Sequence, residues 1–381
     1  MNRINASLFF IILLSIYFTL SSFSRLIPII GLYYQLIIIV LVFAQFMILK
    51  SVLTNIVLVF LFGVYSFQLL YVLYGTILNS EDISIAINNS KYLLIFILLP
   101  TFIYIVKEEK LQLLLKYLSL SMLIKVCIIF ILIIDLSFGH KIFESYILNN
   151  TNLLVHPYMG VYRVFDSFIV FFPLTFYIIN KLNIVLKIIF HFIVFCYILF
   201  SFATGMYLVY LLVSLYFIPR KYIYLILLLI TINLLFYDYI NFEILYRLYE
   251  SKISDSIGVK ANQVYWIIEN ISFFGKGVGY VFNINGRIDS MLENLHIYWL
   301  ATYGIFGIII FYSIILIMPI YIHIKFKNIL EIKVISMIYL SSLLASLINP
   351  YALSGVVFMF YILLIAYWIN YSRNYIHKGE T

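Results

Sequence analysis

The chain has 381 residues, 65% of them hydrophobic and 10% charged, with a formal net charge of +8. Soluble domains sit near half apolar and a quarter charged, so no compact fold could hide this much apolar surface from water. A soluble enzyme, a disordered chain and a nucleic-acid binder are excluded, and the solvent that the composition calls for is lipid.

A membrane-crossing helix needs about 20 apolar residues. Taken in chain order, apolar runs of this kind fall at 6–23, 29–49, 52–78, 92–106, 118–136, 165–180, 188–203, 207–218, 222–237, 295–322, 334–348 and 356–369. They predict an all-α polytopic integral membrane protein with about 12 transmembrane helices. No small-residue cleavage site follows the first run cleanly, so it reads as an uncleaved helix. The stretch 188–218 is broken only by Thr204-Gly205. As one helix it would be about 46 Å long against a hydrocarbon core of roughly 30 Å, so two short helices, or one helix and a re-entrant piece, fit better. Cys127 and Cys196 lie inside apolar runs and offer neither a disulfide framework nor a metal cluster.

Positive charge sets the orientation. With twelve spans and both termini cytoplasmic, the inner segments hold Arg3, Lys50, Lys107, Lys110, Lys116, Lys181, Lys187, Arg220, Lys221, Lys325, Lys327, Lys333, Arg373 and Lys378. The short outer loops hold only Arg25 and Lys91. Flipping the second half would carry short-loop basic residues outside and gain none.

Two connections are long, 137–164 and 238–294, and this topology puts both on the outer side. Long loops are usually functional or disordered. In the second loop, 241–253 places Phe242, Leu245, Leu248 and Tyr249 on one helical face, and 261–274 is a second apolar-rich helical stretch. The glycine run Gly275-Lys276-Gly277-Val278-Gly279 follows. The loop therefore reads as a small ordered cap carrying 12 charged residues.

Three arginines lie on the outer side: Arg163 closing the first loop, and Arg247 and Arg287 in the second. Arginine stays charged and presents a planar donor fork that suits phosphate. Each taken alone also fits a plainer role as interfacial anchor or salt-bridge partner. Arg163 and Asp166 stand i, i+3 and read as an ion pair orienting the arginine. His296 opens the tenth span, and Glu293 stands three residues before it, a spacing that shares one helix face. A histidine beside a carboxylate can be held in one tautomer and accept a proton near neutral pH. Lys125 is an ionisable residue inside the fifth span, for which snorkelling or a polar neighbour is expected. Gly304 and Gly307 read as aids to close helix packing. There is no Walker loop and no HExxH.

The glycine run 275–279, then His296-Ile297-Tyr298, then Ala301-Thr302-Tyr303-Gly304-Ile305-Phe306-Gly307, on a many-span chain with two outer loops, resembles the O-antigen polymerase and ligase superfamily. That family has a G-x-G-x-G-like turn before a helix opening H-N-x-(Y/L) and carrying G-(I/L)-x-G; here Ile297 stands where the family has Asn. Arg247 and Gly258 also fit the arginine–glycine spacing of its outer loops.

The resemblance implies a GT-C-like fold with two large periplasmic loops in a bacterial inner membrane. It also implies a glycosyltransferase that joins undecaprenyl-diphosphate-linked oligosaccharide repeat units into O-antigen or a related surface polysaccharide. No nucleotide, metal or other cofactor is required, and a chain-length regulator protein is the partner common in the family. In this reading Arg163, Arg247 and Arg287 hold the diphosphates, and His296 with Glu293 handles the acceptor proton. The alternatives are a ligase that transfers the finished glycan to lipid A-core, and a flippase or transporter. Transporters usually show repeated halves and mid-membrane sites; residues 1–190 and 191–381 show no repeat, and only Lys125 speaks for a buried site.

Overall fold

The computed structural model describes residues 3–20, 55–78, 83–138, 154–158, 161–199, 201, 204–217, 254–347 and 355–379. The apolar runs 29–49 and 222–237, and the stretch 241–253 with Arg247, lie outside the described residues.

The first half contains α1 (Arg3–Leu20), α2 (Asn55–Leu78), α3 (Ile83–Ser90), a 3-10 segment (Lys91–Leu98), α4 (Leu99–Lys107) and α5 (Leu111–Phe138). A hairpin of β1 (Leu154–Tyr158) and β2 (Val161–Phe165) follows, then a 3-10 segment (Ser167–Leu174) and α6 (Thr175–Ile179). Beyond these lie α7 (Ile184–Leu199), α8 (Thr204–Phe217), α9 (Ser254–Asn270), β3 (Phe282–Ile284) and β4 (Arg287–Asp289). The C-terminal part consists of α10 (Leu295–Tyr312), a π segment (Ser313–Ile317), α11 (Met318–Lys325), α12 (Leu330–Ala345) and α13 (Gly355–Gly379).

Among the described residues, four helical stretches are long and apolar enough to cross a membrane: Asn55–Ile77, Ile83–Lys107, Leu111–Leu136 and Leu295–Lys325. Shorter apolar helices cover Ser7–Leu20, Phe168–Ile179, Ile184–Leu199 and Val356–Ser372. Proline marks where helix type changes. Pro100 stands in the first turn of α4 after a 3-10 segment, Pro173 inside the 3-10 segment before α6, and Pro319 in the first turn of α11 after the π segment. Proline lacks the N–H that a helix interior needs, and the ladder changes register beside each one.

The ambiguous stretch 188–218 is two helices. Tyr210 in α8 donates its hydroxyl hydrogen to the His191 carbonyl in α7 at 3.4 Å, and the Phe195 and Tyr210 rings lie 5.9 Å apart. The two helices therefore fold back on one another, as the length of the stretch requires.

The centre of the bundle is α13. Val357 to Ala366 are buried throughout, packed against α4, the Lys91–Leu98 segment and α12. A helix apolar all round belongs in such a position. On α2, by contrast, Ile56, Val59, Phe62, Leu70 and Ile77 point outward. In water such a face would be unstable; in hydrocarbon it is the expected exterior.

Both long loops contain ordered pieces. In the first, β1 and β2 pair antiparallel with His156 opposite Arg163. In the second, α9 ends at Asn270, short of the predicted 274, and β3 pairs antiparallel with β4 across Asn285-Gly286. Both turn residues have left-handed φ, 52° and 82°. This is the two-residue turn that Asn-Gly favours, because its twist matches that of the strands.

Candidate functional site

The nominal helix α10 is not straight. The Nδ1 atom of His296 is hydrogen-bonded to the hydroxyl of Tyr312, 16 residues away. A straight helix would separate their backbones by about 24 Å, beyond the reach of two side chains. The chain folds back at Gly304, whose φ of 66° and ψ of −173° lie in a region open essentially only to glycine. The Leu295–Tyr303 limb packs against the start of the next limb, with Trp299 and Phe311 rings 4.9 Å apart. The length needed for a crossing then belongs to Ile305–Lys325, about 31 Å of helix.

A bend of this kind frees backbone groups that must be paired inside a membrane. The glycine run supplies the partners. Lys276 and Gly277 donate their N–H groups to the Ala301 and Thr302 carbonyls, each at 2.9 Å. Ile305 and Phe306 donate to the Ser272 and Phe273 carbonyls at 3.2 and 3.0 Å. The Tyr71 hydroxyl donates to the Tyr303 carbonyl at 2.9 Å, and Val278 N–H donates to the Tyr71 carbonyl at 3.0 Å. Gly277, with φ of 82°, lies so near the Gly75 backbone that a Cβ would collide with it. The run 275–279 is thus a plug between α2 and the bend of α10.

Plug and helix together fix His296. Asn294 caps the helix, its side-chain oxygen accepting from the N–H groups of His296 (3.0 Å) and Ile297 (3.2 Å). The His296 Nε2 lies 3.0 Å from the Leu343 carbonyl on α12. A carbonyl only accepts, so Nε2 carries hydrogen, and in the neutral ring Nδ1 accepts from the Tyr312 hydroxyl. Leu295 N–H donates to the Ser346 carbonyl at 3.2 Å, and the Asn294 amide donates to the Leu347 carbonyl at 2.9 Å. The helix start is therefore tied to the end of α12.

The expected pairing of Glu293 with His296 is replaced by another. Glu293 precedes the helix, so the i, i+3 rule does not hold between them. Its carboxylate accepts from Arg287 Nη1 at 3.0 Å, while its N–H donates to Gln263 on α9 at 3.1 Å. Arg287 also places Nε 2.5 Å from Asp289. Hydrogen bonding to Glu293 comes first among the effects that push the guanidinium pKa above its ordinary value. Two carboxylates on one guanidinium leave little unbalanced positive charge, though the side chain is 48% exposed. The hairpin and α9 enclose a cleft of about 150 Å³ that includes Asn262, Asn285, Arg287 and Asp289. The Asn89 amide, donating to the Ser290 carbonyl at 2.9 Å, ties this cap to α3.

A second polar cluster lies elsewhere in the bundle. Lys125 on α5 is fully buried, with its ammonium 3.9 Å from the centre of the Phe168 ring. Asp166 acts on it electrostatically, so the polar neighbour expected for Lys125 is this carboxylate. Asp166 also accepts from Phe168 N–H at 3.0 Å and from the Tyr197 hydroxyl at 3.1 Å. The helical pairing of Arg163 with Asp166 does not apply, because Val161–Phe165 is a strand.

Of the residues expected from the sequence, the structure brings Arg287 and Glu293 together and places His296 three residues beyond, on a different set of partners. Arg163 sits in the other hairpin, and Arg247 lies outside the described residues. Sequence reading missed Tyr312 and Leu343 as partners of His296, since both are remote in the chain. It also missed the hairpin, although Asn285-Gly286 is a recognisable signal.

The class these features define is a mostly α-helical chain whose apolar helices suit a lipid bilayer. The chain matches no protein-family model, no curated protein and no solved structure.

Proposed function

We propose that this chain is a membrane glycosyltransferase. It would polymerise undecaprenyl-diphosphate-linked oligosaccharide repeat units into O-antigen or a related surface polysaccharide at a bacterial inner membrane. In this reading it has twelve spans, cytoplasmic termini and both long loops in the periplasm. The observation that carries the reading is the glycine run bonded into the break of α10. It joins the charged cap and His296 into one unit, and it gives the sequence motif a structural purpose.

The chemistry asks for two things. A diphosphate must leave with the electron pair of the bond to the anomeric carbon, and fixed positive charge stabilises it as the bond breaks. Arg163 and Arg247 take that role; Arg287, balanced by Asp289 and Glu293, serves the cap instead. The acceptor hydroxyl oxygen forms the new bond to the anomeric carbon and gives up its proton. Tyr312 takes that proton while passing its own to the Nδ1 of His296, along the hydrogen bond between them.

The test is deletion in the host, followed by gel separation of the surface glycan. A polymerase deletion leaves single repeat units on the carrier core, whereas a ligase deletion leaves none there. An unchanged ladder after deletion would overturn the proposal. So would purified protein in liposomes that moves the lipid-linked oligosaccharide across the bilayer without lengthening it.

A further inference from the structure

We infer that the cleft between α9 and the β3–β4 hairpin binds one pyranose ring of a glycan. The size is the first argument. About 150 Å³ is roughly five water volumes. That is room for one ring, and below the roughly 300–1,000 Å³ typical of drug-sized ligands.

The lining is the second. The amides of Asn262 and Asn285 each offer a donor and an acceptor, Asp289 accepts, and Arg287 donates. Sugar hydroxyls both donate and accept, so a mixed wall of this kind can satisfy neighbouring hydroxyls in pairs. Val259 and Ile284, both half-buried in the same lining, give an apolar surface for the C–H face of a ring.

Charge is the third. With Asp289 at 2.5 Å and Glu293 at 3.0 Å, Arg287 is neutralised by its own neighbours. A diphosphate entering the cleft would meet those carboxylates, whereas an uncharged sugar would not. The walls are also preformed. The Asn285-Gly286 turn fixes one side, Gln263 holds the Glu293 backbone, and the Trp266 and Phe282 rings lock α9 to the hairpin at 5.2 Å. A preformed site avoids part of the ordering cost of binding.

The assignment of the sugar to a polymer substrate rests on the function proposed above, but the binding itself can be measured without any transfer. The full-length protein in detergent is mixed with methyl glycosides of glucose, galactose and N-acetylglucosamine and followed by saturation-transfer NMR. Saturation is expected on at least one glycoside. It should weaken at least tenfold in Asn262→Ala, persist in Lys260→Ala on the same helix, and withstand added inorganic diphosphate. Both variants are first checked for monodispersity by size exclusion. The inference falls if no glycoside is saturated, if Asn262→Ala binds as the native chain does, or if diphosphate displaces the sugar. Binding that survives while deletion leaves the glycan ladder intact would keep the cleft and discard the polymerase. A lost ladder without glycoside binding would do the reverse.

Discussion

His296 and Tyr312 stand on two limbs of one nominal helix and are joined by a hydrogen bond between imidazole Nδ1 and phenol hydroxyl. The bond exists because the chain turns back at Gly304, while the Leu343 carbonyl, which can only accept, holds the imidazole in the tautomer with hydrogen on Nε2. If this pair carries the acceptor proton, His296→Ala should lower polymerisation by about 10²–10⁴-fold, the usual range for a general base. Tyr312→Phe should lower it less, since a water can replace the hydroxyl. Glycan ladders from strains carrying each variant report both effects, and a native ladder from His296→Ala would remove the histidine from the reaction.

Gly304→Ala should be among the most damaging single-methyl changes in the chain. Its backbone conformation costs a non-glycine residue about 1–3 kcal/mol. The added carbon would also collide with Gly275 N and the Phe273 carbonyl, at an overpacking cost of about 1–3 kcal/mol. Gly63 on α2 is the control: nothing lies within 4 Å of the position of its Cβ, so Gly63→Ala should be neutral or slightly stabilising. Thermal unfolding of both variants in detergent, read by tryptophan fluorescence, separates them. Equal midpoints would contradict the bend.

Lys125 and Asp166 should behave as a coupled pair. Lys125→Met leaves a buried carboxylate without its cation and should cost about 3–5 kcal/mol. Asp166→Asn leaves the buried ammonium exposed to the same penalty, while the amide oxygen can still cap the Phe168 N–H. The double variant should be more stable than the sum of the two single losses implies. A thermal-unfolding double-mutant cycle measures this, and simple additivity would show that the two charges do not interact.

Arg287→Lys should not replace arginine. The guanidinium reaches Asp289 through Nε and Glu293 through Nη1, a fork that a lysine ammonium cannot reproduce. The pairs are half exposed, so the loss of stability should stay below about 1 kcal/mol. Methyl-glycoside binding in the cleft should nonetheless fall, because Asp289 is no longer held in place. Unfolding midpoints and saturation-transfer NMR on the same variant check the two halves of this expectation.

Much of this was legible in the residues themselves. Apolar runs located α2, α5, α7, α8, α12 and α13, because a helix that faces lipid or a buried core has little choice of composition. The excess length of 188–218 alone required a break, and α7 and α8 supply it. The glycine run and Gly304 were visible as motifs, but each was a local signal without its counterpart.

What the sequence determined by itself is the solvent and the broad class: long apolar segments with few charges can only be satisfied as helices in lipid. Tertiary structure decided the partners. Glu293 was expected to orient His296 by helical spacing, yet it lies before the helix and binds Arg287, while Tyr312 and Leu343 hold the histidine. The reason is that spacing rules apply along a continuous helix. A fold-back at one glycine, sealed by hydrogen bonds from residues 272–277, brings together groups that no local pattern connects.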